Sequence, residues 1–197
     1  RLQREYRPLL DAAKGEDFQR MTGVIRDEVR RLNGIIEEFL NFSRRDRLEL
    51  KDYPVEDILQ KLVSLIEEEA RDKGILIERQ WNSGRSLVPM DIDKLQQALL
   101  NLMKNGMESI VQQGSLTIRL ERLEKTVAVS IADTGSGLTP EEIDRIFSPE
   151  YTTKEKGLGL GLPISHEIIR AHGGEIRVRS EVGKGSTFEI ILPLSSV

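Results

Sequence analysis

No cysteine occurs among the 197 residues, which excludes disulfides and zinc–thiolate sites and permits a reducing compartment. No apolar run approaches the roughly 20 residues needed to cross a bilayer, and no secretory leader is visible. Membrane contact by this segment is therefore not expected, and a cytoplasmic location is. Positive charge is not in excess: 29 Lys and Arg stand against 33 Asp and Glu, a formal net charge of −4. That balance argues against non-specific binding of nucleic acid. Histidine is scarce, with only His166 and His172. There is no initiating methionine, and Arg1 falls within a helical pattern, so the chain reads as a fragment whose parent could be membrane-anchored upstream. Its length suffices for one sizeable core and a smaller appendage.

Leu2, Tyr6 and Leu9 mark the end of a first helix, which Pro8 terminates or kinks. Asp11 to Asp17 is a polar connection. Phe18, Met21, Ile25, Glu28, Leu32, Ile35, Phe39 and Phe42 then alternate spacings of three and four, with Glu28 alone breaking the seam. Val24, Val29, Ile36 and Leu40 widen it beyond a two-stranded stripe, which favours a bundle. A hairpin this short cannot bury both apolar sides alone, so a homodimeric four-helix bundle is expected; the alternative is a helix folded back on its own domain. The arginines from Arg26 to Arg47 form a solvated face with ion pairs to Glu28, Glu37 and Glu38, or a docking face for an acidic partner.

Arg44 to Tyr53 reads as a charged connection and the domain boundary, giving domains at 1–48 and 53–197. Pro54 opens a helix with Ile58, Leu59, Leu62, Ile66 and Ala70 inward, stopped by Gly74. Ile75 to Trp81 reads as a strand. Asp91 caps a helix running to about Gln113 and closed by Gly114. Leu116, Ile118 and Leu120, then Val127, Val129 and Ile131, alternate as strands. Thr139-Pro140-Glu141-Glu142 is a capping box. Leu162 to Ala171 is a helix ended by Gly173 and Gly174. Two further strands carry Ile176 and Val178, then Phe188, Ile190 and Leu192. Strands with interspersed helices predict an α+β fold, one mixed sheet covered on one face by helices.

Four clusters carry chemistry. Asn101 and Asn105, four apart on the Asp91 helix, share a face with Glu108. Two carboxamides there can offer oxygens to a hard cation and amides to phosphate, or simply be solvated. Asp133-Thr134-Gly135-Ser136-Gly137-Leu138 follows a strand. Its carboxylate can accept from an exocyclic amine and its glycines admit a flat ring, or the segment is a plain turn. Phe147-Ser148-Pro149-Glu150-Tyr151-Thr152-Thr153-Lys154 reads as a loop able to fold over a ligand, or as an exposed connection. Gly157-Leu158-Gly159-Leu160-Gly161-Leu162 leads into a helix, where exposed amides and the helix dipole suit phosphate; a hinge is the alternative. The spacing is not that of a Walker loop.

Taken in order, these clusters resemble the N, G1, F and G2 boxes of sensor histidine kinases. Gly183-Lys184-Gly185-Ser186-Thr187-Phe188 looks like the glycine-threonine segment that follows them. The resemblance covers about residues 55–194, and residues 18–45 look like the second dimerisation helix, ending at Asn41-Phe42-Ser43-Arg44. It implies the histidine-kinase/gyrase-type ATP-binding fold, with ATP and Mg²⁺ as cofactors and a phospho-acceptor histidine upstream of Arg1. Asp133 would bind the adenine amine, with Gly135 in the same turn and Gly137, Leu138 and Thr187 around the ring. Asn105 would hold Mg²⁺, with Asn101 beside it. Gly157 to Leu162 would cradle phosphates, and Thr153 and Lys154 would belong to a compact lid. Glu108, where many relatives carry a basic or polar residue, and Tyr151, in place of the usual second F-box aromatic, depart from the pattern.

The implied partners are a second copy of the chain, through the N-terminal helices, and the receiver domain of a response regulator. No residue of this chain is expected to be catalytic in the strict sense. Neither histidine is expected to accept phosphate, because both lie on or just after the phosphate-cradling helix; both read as surface or half-buried, and the chain alone should not autophosphorylate. A gyrase-like ATP hydrolase would need a glutamate where Asn101 stands. A protein-serine kinase would not need dimerisation helices, and the intact boxes argue against a degenerate ATP-gated scaffold.

Overall fold

The computed structural model describes residues 17, 18, 20–26, 48–81, 84–148 and 159–195. The chain divides into two units between Arg45 and Asp46. In the first, the described residues are helical. Thr22 Oγ1 donates to the Phe18 carbonyl at 2.7 Å, and Met21, Val24 and Ile25 are exposed. The rest of the seam from Phe18 to Phe42, and the helix end at Pro8, lie outside the described residues.

The second unit begins with β1 (Lys51–Pro54) and α1 (Val55–Asp72). The predicted inward residues Ile58, Leu59, Leu62, Ile66 and Ala70 are all buried. Each large one contributes about 1.5–3 kcal/mol relative to exposure. Pro54 is not the first helical residue, as expected from sequence, but the N-cap, and it has no side chain able to cap. Bonds to Ser86, some thirty residues on in the same chain, anchor this helix start instead. Val55 N–H donates to the Ser86 carbonyl at 3.1 Å, and the Glu56 carboxylate accepts from Ser86 N–H at 2.9 Å.

β2 (Ile75–Gln80), β3 (Leu87–Met90) and α2 (Ile92–Ser109) follow. The Asp91 side chain caps α2 by accepting from Lys94 N–H at 3.2 Å. The helix ends at Ser109, four residues before the expected stop, because Ile110 turns to extended backbone and is itself buried. Gly114 instead opens β4 (Gly114–Arg122), where an added β-carbon would lie 2.5 Å from Thr134 Oγ1. Next come β5 (Thr126–Asp133), the single turn α3 (Pro140–Ile143), α4 (Gly161–Ala171), β6 (Glu175–Glu181) and β7 (Gly185–Pro193). The capping box ahead of α3 is formed, with Thr139 and Glu142 bonding reciprocally.

Five strands make one mixed sheet in the order β2-β4-β5-β7-β6, parallel between β2 and β4 and antiparallel elsewhere. β1 and β3 form a separate antiparallel pair. Alternation puts Leu116 and Ile118, Val129 and Ile131, Phe188 and Ile190 on one face, where they join the side chains of α1, α2 and α4 in a single core. The helices cover this face of the sheet.

Candidate functional site: a buried carboxylate and a helix start

Asp133 ends β5 on the inner face, in phase with Val127, Val129 and Ile131, and is 7% exposed. Gly106 of α2 allows this approach. A β-carbon there would lie 2.7 Å from Leu116 Cδ1 and 3.5 Å from Asp133 Cβ. Oδ1 accepts from Gly135 N–H at 2.8 Å, Ser109 Oγ at 2.9 Å and Ser186 N–H at 3.3 Å. These bonds fix Oδ1, and no described residue donates to Oδ2. Burial pushes the Asp133 carboxyl above its ordinary value, and the bonds from Gly135, Ser109 and Ser186 hold it back.

The turn after Asp133 is pinned at each step. Ser136 N–H donates to the Ser109 carbonyl at 3.1 Å, and Gly183 N–H to the Ser136 carbonyl at 2.7 Å. Leu138 N–H donates to Ser180 Oγ at 2.8 Å. Gly137 has a φ of +69°. From sequence, the glycines were expected to admit a flat ring. In the structure the space beside Gly135 is taken by Ser109, and that beside Gly137 by the Glu181 carbonyl. Both glycines are required by close packing between segments of this chain.

Strand register separates two neighbours in the glycine-threonine segment. Ser186 and Phe188 are buried on the inner face, and Ser186 brings its amide to Asp133. Thr187, the residue singled out from sequence, pairs with Ala132 and Arg179 and points to the opposite face. The structure thus does not bring Thr187 to Asp133; the neighbouring serine stands there. Sequence reasoning also missed Ser109 and Ser180. Ser109 was findable, since it lies four residues after Asn105 on the same helix face.

Asn101 and Asn105 are half-buried on α2, and Glu108 is exposed. Asn101 Nδ2 donates to Ser165 Oγ of α4 at 2.9 Å. The start of α4 is a second polar feature. Gly159 has a φ of +69°, Leu160 is the N-cap and Gly161 the first helical residue. Gly161 and Leu162 carry the helix's first amides and Pro163 has none, while Ile164 N–H already bonds the Leu160 carbonyl at 2.9 Å. Such a start favours an anion. Thr153, Lys154, Gly157, Leu158 and Tyr151 lie outside the described residues. Of the third cluster, Phe147 stacks on His166 with centroids 4.8 Å apart.

His166 is half-buried, as expected, but His172 is buried at 4% exposure. Its Nε2 accepts from Asp91 N–H at 3.0 Å, and Nδ1 faces the Ile168 carbonyl at 2.7 Å. An amide can only donate and a carbonyl only accept, so the ring carries its proton on Nδ1. This histidine is a structural clasp between the end of α4 and the N-cap of α2.

No group of three or more His, Cys, Asp or Glu side chains among the described residues could hold a metal alone. The donor set therefore fits a hard cation such as Mg²⁺ only in part: Asn105 can supply one carbonyl oxygen, and phosphates and water must supply the rest. No helix among the described residues is long and apolar enough to cross a membrane.

A mixed sheet covered by helices, with a carboxylate at a strand end and a glycine-flanked helix start on either side of one asparagine-bearing helix, defines a nucleotide-binding α+β domain. Residues 90–196 match the family of histidine kinase-, DNA gyrase B- and HSP90-like ATPases, and the chain belongs to that family. It is 33% identical over 184 residues to the sensor histidine kinase ZraS of Escherichia coli K12, covering 93% of this chain and 40% of that protein. Full-length ShkA in complex with AMPPNP superposes with a TM-score of 0.82 at 27% identity, over 91% of this chain and 39% of that one. Histidine kinase ThkA, in complex with response regulator TrrA, gives 0.78 at 29% identity, over 94% and 53%. Within the family, the chain carries the ATP-binding catalytic domain of sensor histidine kinases. It spans about two-fifths of the length of the curated relatives it matches.

Proposed function

We propose that this chain binds Mg-ATP at Asp133, Asn105 and the start of α4, and donates the γ-phosphate within a sensor kinase. In the whole protein the phosphate would pass to a histidine on the dimerisation helix and then to an aspartate of a response regulator. One observation carries the reading: Oδ1 of Asp133 is held by three donors, and no described residue donates to Oδ2. That presents a fixed acceptor to the exocyclic amine of adenine. Asn105, on the helix beneath, would give its carbonyl oxygen to Mg²⁺. Gly159, Leu160, Gly161 and Leu162 would meet the phosphates, with Gly157, Leu158, Thr153 and Lys154 completing the enclosure. Positioning and charge stabilisation would do most of the work of transfer.

Residues 1–48 would be a partial dimerisation hairpin and 53–197 the ATP-binding domain, working in the cytoplasm as a homodimer. Exposure of Met21, Val24 and Ile25 in the single chain supports a second copy as their cover. A hydrolase is disfavoured, because Asn101 cannot take a proton from water and its amide is engaged with Ser165. The test is incubation with γ-labelled ATP. A chain extended upstream of Arg1 should take up acid-labile phosphate that this chain does not. Release of inorganic phosphate at the same rate with or without the extension would count for the hydrolase.

A further inference from the structure

We propose that Asn101 is a positioning residue that sets the first turn of α4, rather than a ligand of metal or nucleotide; this rests on the Mg-ATP reading above. α4 has no side-chain cap at its N-terminus, since Leu160 occupies the N-cap. A relay from α2 takes the place of one. Asn101 Nδ2 donates to Ser165 Oγ at 2.9 Å, and Ser165 Oγ donates to the Gly161 carbonyl at 2.9 Å. Ser165 is 1% exposed, so no ligand can reach it. The Ala98 carbonyl, 3.4 Å from the same hydroxyl, holds the relay against the body of α2.

Gly161 completes the arrangement. A β-carbon there would lie 2.6 Å from Asn101 Oδ1 and 3.0 Å from Nδ2. The carboxamide therefore lies flat against the first helical residue, in space that only glycine leaves. The relay fixes where the amides of Gly161 and Leu162 point, and those amides are the groups that would meet phosphate oxygens. Through this contact the helix carrying Asn105 and the helix presenting the amides keep one spacing. Adenine recognition, at Asp133, lies outside the relay.

The experiment compares wild type, Asn101→Ala, Ser165→Ala and the double variant. Calorimetry gives Mg-ATP affinity, and NMR titration gives adenosine affinity. Each single variant should lose about tenfold in Mg-ATP affinity, the size of one hydrogen bond. The double should lose no more than the singles, and adenosine binding should be the same in all four. Native amide exchange should rise at Ile164 and Ser165 but not at Val129 and Ile190 of the sheet. Additive losses, or Ser165→Ala binding Mg-ATP like wild type, would overturn the relay and return Asn101 to direct contact. Faster exchange across the whole core would reduce it to a stability effect and also overturn it. A wild-type chain that binds no nucleotide would overturn both this inference and the reading beneath it.

Discussion

Gly185 and Asp133 meet backbone to backbone. Gly185 holds a φ of +103°, and a β-carbon on it would overlap the Asp133 carbonyl oxygen. Gly183, two residues earlier, also has a positive φ, of +79°, but faces open space. The pair separates strain from crowding. Gly183→Ala should cost about 1–2 kcal/mol, the left-handed penalty alone. Gly185→Ala should cost several kcal/mol more and displace the Asp133 carbonyl. Thermal unfolding measures both, at about 2–4 °C per kcal/mol for a domain of this size. Equal melting temperatures would remove the steric argument.

Asp133→Asn keeps the shape of the side chain and removes its charge. Nucleotide affinity should fall roughly ten- to hundredfold, in line with about 1.5–3 kcal/mol for a charged hydrogen bond. Calorimetry on the folded variant reads this directly, and unchanged ATP affinity would exclude Asp133 from adenine recognition.

The same carboxyl predicts a pH dependence. Its value in the folded chain lies above the ordinary 3.8, so the folded state holds this proton more tightly than the unfolded chain does. Its contribution to stability is full below 3.8 and is lost as pH rises through the elevated value. Binding runs the other way, since an amine donor requires the carboxylate. ATP affinity should therefore fall on acidification earlier than an ordinary aspartate would allow. In Asp133→Asn, both trends should flatten. Titrating affinity and urea stability between pH 3.5 and 7 checks the two signs separately.

Asn105→Leu should abolish the gain in ATP affinity on adding magnesium while leaving magnesium-free binding close to wild type. The physical basis is that a carbonyl oxygen suits a hard cation and the remaining ligands come from phosphate and water. Titrations with and without EDTA make the comparison, and an equal magnesium gain in both proteins would rule the role out.

His172→Phe should leave Asp91 N–H without an acceptor, at a cost of about 1–3 kcal/mol for a buried group. Urea unfolding should show a lower midpoint with an unchanged slope. In the wild type, nitrogen NMR should find the Nδ1–H tautomer, with Nε2 as the acceptor. A protonated Nε2 would contradict the hydrogen bond from Asp91.

The long elements were legible because their patterns are long. α1 shows five inward apolar residues at helical spacing, and the strands around Val129 and Ile190 alternate cleanly. β1 and β3 were not legible, since each is four residues long and contains a proline, Pro54 or Pro89. Such segments have too few periods to read. At the site, Asp133 and the paired asparagines stood out by type and spacing. Thr187 did not hold its expected place because strand register reverses faces with every residue, and no sequence pattern fixed whether Ser186 or Thr187 faced inward. His172 gave no sign of burial, because its partner is a backbone amide 81 positions away.

Strand order has a consequence for how the domain comes into being. The central strand β5 is flanked by β4, its neighbour in sequence, and by β7, which closes at Pro193. α4 and β6 lie between the two in the chain. A ribosome would thus release Asp133 long before it releases Ser186, and β5 would wait with one edge bare. Until β7 docks, the carboxylate lacks one of its three donors and the sheet cannot close over α4. The nascent domain should be open to proteases and to chaperones until its last strand emerges, whereas a domain built from successive hairpins would mature piece by piece.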